Sequence, residues 1–220
     1  MKNFAKGFLT VLALTVLLAG CGKADEQQTS AERPLSLGQV SEGVYTNEYM
    51  NLAFAPEGWT ILNSDQLQGA LEGAAQLVEG TSFEEQVQGM DQIMVMEALA
   101  PDGVTNTNVV YTAMDSSEKL AHLSMSDEEA LDAVLTKKED MVSAYAAAGV
   151  QIGSLEKIPV SYRGEERMGL RILGSVENIP MCMIQIYERM LGDYSAVVTV
   201  TALSEEEAMH ILGFYQKLNS

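Results

Sequence analysis

The fold is decided by four consecutive segments in the C-terminal part of the chain: QIGSLEKIPVSY (151–162), RMGLRILGSV (167–176), MCMIQIYERM (181–190) and SAVVTVT (195–201). All four are rich in branched and aromatic residues, which favour extended backbone. Turn-forming pairs separate the segments at Arg163-Gly164, Glu177-Asn178 and Gly192-Asp193. Because strands joined by tight turns pair in opposite directions, this stretch predicts an antiparallel β-sheet.

Further strands are predicted before this stretch. Residues 92–100 and 105–114 flank the turn Pro101-Asp102-Gly103 and are predicted to form a hairpin. Shorter extended pieces are indicated at 45–47, 52–55 and 59–62. We expect an antiparallel sheet of about six to eight strands.

Helices are predicted where apolar residues recur every three or four positions. A first helix, capped by Asn63 or Ser64, ends at Gly80, and a shorter one spans residues 82–90. The longest predicted helix begins at Ser126 and ends at Gly149.

A last helix follows the final strand. Ser204 is its predicted N-cap, Glu207 completes a capping box, and Leu203 is placed to pack on the first turns. Its expected buried stripe consists of Ala208, Ile211, Leu212 and Tyr215. Two or three helices packed on an antiparallel sheet give the class α+β, as one domain over residues 43–220.

The run YTNEYMNLAFAPEGW at residues 45–59 resembles the N-terminal entry of PsbP/Mog1-like domains, in which an extended aromatic segment meets a Pro-x-Gly-Trp turn. Uncharacterised lipoproteins of Gram-positive anaerobes share that entry, and the capped last helix is also similar. The resemblance implies an α/β/α sandwich around an antiparallel sheet. It implies no particular function, because members of this fold bind unrelated partners and share no catalytic residue.

The first twenty residues are typical of a secretory signal peptide. Lys2 and Lys6 give a positive start, and an apolar run follows from Phe8 to Leu18. A membrane-spanning helix needs about 20 apolar residues, and residues 8–20 supply only 13. We therefore predict a signal peptide over residues 1–20.

The end of this signal, Leu18-Ala19-Gly20-Cys21, resembles the lipobox of bacterial lipoproteins. The resemblance implies cleavage between Gly20 and Cys21, diacylglyceryl transfer to the Cys21 thiol, and attachment to the cell membrane through acyl chains. Two or three chains anchor a protein stably where one is marginal. The polar residues that follow have no apolar period, so residues 21–42 are predicted to be the lipidated cysteine and a flexible tether spanning roughly 25 Å.

The chain is strongly acidic. Its 220 residues include 13 Lys and Arg against 31 Asp and Glu, which gives a net charge of -18. Such a surface repels a phosphate backbone, so we exclude nucleic acid as a partner. Two cysteines make no disulfide framework, and two histidines leave little material for a zinc site or a histidine-based triad.

The sulfur atoms of two predicted strands are interpreted as core. Met181, Cys182 and Met183 are soft ligands that suit Cu(I), but on a strand the cysteine points away from both methionines. Met94 and Met96 are likewise predicted to share one face. All five fit an adaptable apolar core, in which Cys182 acts as a small hydrophobic residue.

Several polar groups look like ligands or acid–base pairs. They are Asp102, Asn106 and Asn108 at a turn, Glu165 and Glu166 at a hairpin tip, Glu205, Glu206 and Glu207 at a helix start, and His122 and His210. The turn lacks the twelve-residue calcium loop, the helix-start charges complement the helix dipole, and neither histidine has a metal-binding spacing. We predict no catalytic residue, metal or cofactor among them.

The sequence thus predicts an extracytoplasmic lipoprotein on the cell membrane, acting as a non-catalytic binding or accessory module with an envelope protein as candidate partner. Two alternatives stay open. One is a hydrolase of envelope polymers that uses paired carboxylates, which leave no short motif. The other is a solute-binding lipoprotein, although that class usually needs two lobes. Trp59, the only tryptophan, is expected to fill the sheet edge, with stacking on a sugar or peptidoglycan fragment as the alternative.

Overall fold

The structure is a computed structural model that describes residues 35–64, 66–67, 92–188 and 192–218. Several predictions fall outside these residues and are not tested by it. They are the signal peptide, the lipobox with Gly20 and Cys21, most of the tether, the helix predicted at 82–90 and nearly all of the one predicted at 64–80.

Four short strands form a small antiparallel sheet. They are β1 (Gln39–Ser41), β2 (Val44–Asn47), β3 (Leu52–Phe54) and β11 (Tyr215–Lys217), in the order β1-β2-β3-β11. The sequence pattern predicts neither β1 nor β11, because strands of three residues are too short to show a period.

Seven strands form a larger sheet in which every neighbouring pair is antiparallel. They are β4 (Thr60–Asn63), β5 (Gln92–Leu99), β6 (Asn106–Ala113), β7 (Val150–Tyr162), β8 (Glu165–Val176), β9 (Ile179–Glu188) and β10 (Tyr194–Ala202). Their order is β4-β5-β6-β10-β9-β8-β7. The predicted α+β class with an antiparallel sheet of six to eight strands is confirmed.

Four helices are described: α1 (Ser116–Ser124), α2 (Asp127–Leu135), α3 (Lys138–Ala147) and α4 (Glu205–Leu212). α1 lies where the sequence pattern indicates only a polar segment. Its N-cap is Asp115, whose carboxylate accepts hydrogen bonds from the backbone of Ser117 and Glu118 at 2.8 Å, while Glu118 reaches back to the Asp115 amide. This capping box begins with aspartate, and the helix carries few apolar residues to reveal it.

The long helix predicted over 126–149 is two helices. Thr136 donates its hydroxyl to the Ala133 carbonyl at 2.6 Å, and the Lys137 amide bonds to Val134, three residues back. Both contacts tighten the end of α2 and compete with helix continuation. Lys137 then has non-helical angles (φ -104°, ψ 24°), and α3 begins after it.

The larger sheet separates two apolar cores. The first lies between this sheet, the small sheet and α4, and includes Phe54, Tyr111, Ile184, Val198 and Leu212. The second packs α2 and α3 against the other face, through Leu131, Val134, Met141, Leu170 and Ile172. Each fully buried Leu or Ile contributes roughly 1.5–3 kcal/mol relative to exposure. The small sheet therefore shares one outer layer of the sandwich with α4.

The packed part of the chain begins before the predicted boundary at residue 43. Leu37 is buried, and Ser36 and Leu37 accept hydrogen bonds through their carbonyls from Tyr111 at 3.0 Å and Tyr45 at 3.1 Å. Residues 36–41 therefore belong to the folded domain, although the sequence assigns them to the tether. The sequence did not indicate this attachment, because its three apolar residues, Leu35, Leu37 and Val40, are scattered among polar ones and the remaining contacts are made by backbone carbonyls.

Two sulfur predictions meet different outcomes. Cys182 lies in the first core, and Met181 and Met183 lie in the second, so the predicted alternation is confirmed. The prediction that Met94 and Met96 share a face is wrong. These two residues pair with adjacent positions of β6, Val110 and Val109, because a β-bulge between them reverses the alternation.

Candidate functional site

A pocket of about 280 Å³ opens at the end of the larger sheet, where the β5–β6 turn meets Trp59 and the helix α4. It is lined by Trp59, Ala100, Pro101, Asp102, Thr105, Glu207, His210, Ile211 and Phe214. Three separate stretches of the chain contribute, so the pocket exists only in the folded domain. Its lining combines aromatic surface with two carboxylates.

Asp102 is fixed by its own turn. Its Oδ1 atom accepts hydrogen bonds from the amides of Val104 and Thr105 at 2.9 Å, and its Oδ2 atom accepts from the Thr105 hydroxyl at 2.6 Å. The turn supplies Gly103 at φ 71°, a left-handed conformation that glycine adopts without steric cost. The carboxylate is thus held in place by backbone geometry rather than by a cation.

These contacts keep Asp102 ionised. Partial burial opposes ionisation, but the hydrogen bonds from the Thr105 hydroxyl and from the Val104 and Thr105 amides outweigh it, so the pKa of Asp102 lies below its ordinary value. The pocket therefore holds a carboxylate anion at neutral pH.

Glu207 reaches the same site from the first turn of α4. Ser204 caps this helix by accepting the Glu207 amide at 3.2 Å, as predicted. The Glu207 side chain does not complete the predicted box on Ser204. Its Oε2 atom instead accepts a hydrogen bond at 3.3 Å from the amide of Leu203, the residue before Ser204. The Leu203 side chain itself is exposed.

A single hydroxyl joins the two carboxylates. Thr105 is buried, and its Oγ1 atom lies 2.6 Å from Asp102 Oδ2 and 3.2 Å from Glu207 Oε1. Because a hydroxyl has one proton, it bonds strongly to only one of these oxygens at a time, and the shorter distance favours Asp102. Glu207 is left with hydrogen-bond capacity toward the pocket.

An aromatic wall stands beside these carboxylates. Trp59 and Phe214 meet edge to face with ring centroids 6.3 Å apart, and His210 packs on Phe214 at 5.0 Å. Trp59 also contacts the buried Phe54 at 5.8 Å. Trp59 therefore packs at the sheet edge, as predicted, and also lines an open cavity.

The structure brings together three candidate residues that the sequence treated separately. Asp102, Glu207 and His210 all line the pocket, and Thr105 and Phe214 join them without having been singled out. Turn chemistry was the signal that could have indicated Thr105, since a hydroxyl three residues after an aspartate commonly bonds to it. No sequence signal identified Phe214, which follows the end of α4.

The other oxygen-rich candidates lie outside the pocket. Asn106 donates its amide to the Val104 carbonyl at 3.1 Å, and Asn108 is buried within β6. Glu165 is paired with Lys217, and Glu205 is paired with Arg171 at 2.6 Å. The described stretches contain no grouping of three His, Cys, Asp or Glu side chains that would hold a metal ion.

The remaining candidates stand as follows. His122 lies in α1, and Glu166 is exposed next to Glu165 at the β7–β8 hairpin. Burial raises the pKa of the Cys182 thiol to about 11, so it is protonated at neutral pH.

Within the part of the chain that the structure describes, no helix has the length and apolar character needed to cross a bilayer.

Comparisons with known proteins find structural similarity without close sequence relatives. No family model matches the chain, and no curated protein matches it. Among solved structures, it is similar to cyanobacterial PsbP (CyanoP) from Synechocystis sp. PCC 6803, with a TM-score of 0.43 and 12% sequence identity. The match covers 84% of this chain and 98% of that chain.

Proposed function

We propose that this protein is a lipid-anchored, extracytoplasmic lipoprotein whose domain is a non-catalytic binding module. The observation that carries the proposal is the pocket beside Trp59, where a fixed carboxylate pair adjoins an aromatic wall. Pockets with a mostly apolar lining and a few convergent polar groups are the usual sites of ligand recognition. We take this pocket as the recognition site.

The anchor in this proposal rests on the lipobox sequence ending at Cys21. Acyl chains on that cysteine hold the domain at the outer face of the cell membrane, and the tether gives it reach. The resemblance of residues 45–59 to lipoproteins of Gram-positive anaerobes supports the same placement. An envelope protein within reach of the tether is the proposed partner.

The carboxylate pair favours a hydrolase of envelope polymers as the second candidate function. Such an enzyme needs one carboxyl group held protonated to act as a general acid. Asp102 does not meet this requirement, because its pKa is lowered. Burial raises the pKa of Glu97, but that residue does not line the pocket. A carboxylate that its own turn keeps ionised suits binding better than acid catalysis.

The test is in-cell crosslinking of the full-length protein in its native host, with intact-mass analysis of the same material. We expect an acylated Cys21, and an envelope protein whose crosslinking is lost in Glu207→Gln. The matched control is Glu206→Gln, which removes a neighbouring exposed charge outside the pocket.

Three results count against the proposal. An unmodified Cys21 thiol in the mature protein removes the membrane placement. Crosslinking that is equal in wild type and Glu207→Gln removes the pocket as the recognition site. Release of soluble fragments from purified envelope polymer, abolished by Glu207→Gln, makes the protein a hydrolase.

A further inference from the structure

The pocket has a one-sided charge. Its lining holds Asp102 and Glu207, and none of its nine lining residues is Lys or Arg. Nearby guanidinium charge is already engaged: Arg171 pairs with Glu205 at 2.6 Å and with Glu156. The field inside the cavity is therefore negative, and it favours a cation.

Glu207 offers the better contact for that cation. The oxygens of Asp102 already accept three hydrogen bonds at 2.6–2.9 Å. The two bonds to Glu207 are longer, 3.2 Å from Thr105 and 3.3 Å from the Leu203 amide. Long bonds are weak, so an incoming charged donor can compete with them. Asp102 then supplies charge, and Glu207 supplies the direct contact.

The aromatic side chains of the pocket favour an organic cation over an inorganic one. Calcium takes six to eight oxygen ligands, whereas Trp59, Phe214 and Pro101 present carbon surface. Ring faces attract cations within about 6 Å, and they also pack against alkyl carbon. The combination of carboxylate and aromatic surface suits a cation with an apolar stem.

The volume of the pocket and the hydrogen bonds of its carboxylates favour an ammonium group over a guanidinium group. The volume of about 280 Å³ lies just below the range of roughly 300–1,000 Å³ typical of pockets for drug-sized ligands, and it suits one side chain. A guanidinium binds best to a carboxylate that offers both oxygens, and on Glu207 it would have to displace the bonds from both Thr105 and Leu203. A compact ammonium group needs no such fork.

We propose that this pocket binds an alkylammonium group, as carried by a lysine side chain, with Glu207 as its direct partner and Trp59 and Phe214 against its stem. The inference rests on the proposed function, because it names the ligand class of the same recognition site. The group has two sources: a lysine of a partner polypeptide, or a free small amine.

The experiment uses the fluorescence of Trp59, the only tryptophan of the full chain. The full-length protein, in a maltoside detergent that carries no ammonium group, is titrated with two probes. One is Nα-acetyl-lysine amide, for the polypeptide source, and the other is n-butylammonium chloride, for the free amine. Ionic strength is held constant with NaCl, and Nα,Nε-diacetyl-lysine amide is the neutral control.

We expect saturable fluorescence changes with both ammonium probes and none with the acetylated probe. Glu207→Gln should weaken binding about tenfold, the loss expected when one charged hydrogen bond is removed. Glu206→Gln should bind as wild type does. Tighter binding of the lysine probe assigns the source to a polypeptide, and equal binding assigns it to a free amine.

The inference is overturned if the neutral probe binds as tightly as the charged one, or if no probe saturates. It is also overturned if Glu207→Gln binds normally. Its failure is separable from that of the proposed function. If crosslinking depends on Glu207 but no ammonium probe binds, the pocket recognises another ligand and the binding role stands.

Discussion

The two ends of the larger sheet hold carboxylates in contrasting environments. At one end Glu188 is buried and lies 3.1 Å from Arg163 and 3.5 Å from Arg167. At the other end Asp102 and Glu207 lie in an open pocket with no Lys or Arg in its lining. The register of β9 with β10 sets these positions apart along the strands.

The carboxylates at the two ends differ in whether guanidinium groups compensate their charge. Burying a carboxylate without a partner costs far more than leaving it in water, so the buried Glu188 requires its two guanidinium groups. Arg163 is held further by its hydrogen bond to the Met50 carbonyl at 2.9 Å and by its place over the Tyr162 ring. The pocket carboxylates have no Lys or Arg among the lining residues to compensate them, which leaves their charge, and the Glu207 oxygens, available to a ligand.

The largest expected effect on stability comes from neutralising the buried carboxylate of Glu188. Glu188→Gln removes the charge that two partly buried guanidinium groups share. Breaking a buried ion pair from one side costs about 3–5 kcal/mol. Arg167 keeps its ion pair with Asp127, so the charge left uncompensated is that of Arg163, and the cost lies near the lower end of this range. We expect a loss of that size in the free energy of unfolding, measured by urea denaturation.

Glu207→Gln is the matched comparison for this variant. It also neutralises one glutamate, but at the open end, where no cation of the lining depends on it. Its free energy of unfolding should stay within about 0.5 kcal/mol of wild type. Equal losses in the two variants would contradict the contrast between the two ends.

A smaller effect is expected at the hydroxyl between the pocket carboxylates. Thr105→Val keeps the shape of the side chain but removes the donor to Asp102. We expect a loss of about 1 kcal/mol in the free energy of unfolding, the usual net value of one hydrogen bond. The Asp102 pKa should rise toward its ordinary value, which an NMR pH titration of its carboxyl group measures.

The sign of the pH dependence follows from the lowered pKa of Asp102. A carboxyl whose folded pKa lies below its unfolded pKa contributes stability above the unfolded pKa, and this is lost as pH falls through the folded value. Wild type should therefore lose more stability on acidification than Thr105→Val does. An equally steep acid limb in both proteins would mean that the hydroxyl does not hold the carboxylate ionised.

The sequence predicts the larger sheet well, because its strands and turns depend on residues that are close together in the chain. Strands β7 to β10 are long, and paired turn residues such as Arg163-Gly164 separate them. The small sheet is predicted only in part. Its strands β2 and β3 are indicated at 45–47 and 52–55, whereas β1 and β11 escape prediction because each has three residues and β11 is far in sequence from its partner β3. The bulge beside Met94 also leaves no mark in the composition of its strand.

The candidate site is predictable only in pieces. The turn at Asp102 and the helix cap at Ser204 can be predicted from the sequence, because each depends on residues a few positions apart. The pocket depends on bringing Trp59, Thr105 and Phe214 together, and no local pattern reports such distances. The carboxylate pair is likewise a tertiary feature, since about one hundred residues separate its members.

The smallest expected effect tests an intermediate case, the ion pairs of Arg171. Its guanidinium donates to Glu205 at 2.6 Å and to Glu156, and the side chains of both glutamates are largely exposed, at 41% and 55%. Exposed pairs contribute roughly 0.2–1 kcal/mol and are screened by salt. Arg171→Met, which keeps an apolar stem, should lose no more than about 1 kcal/mol in urea denaturation, and high salt should shrink the difference. A salt-independent loss as large as that of Glu188→Gln would show that burial is not what separates the two ends, and the availability of the pocket carboxylates would then need another cause.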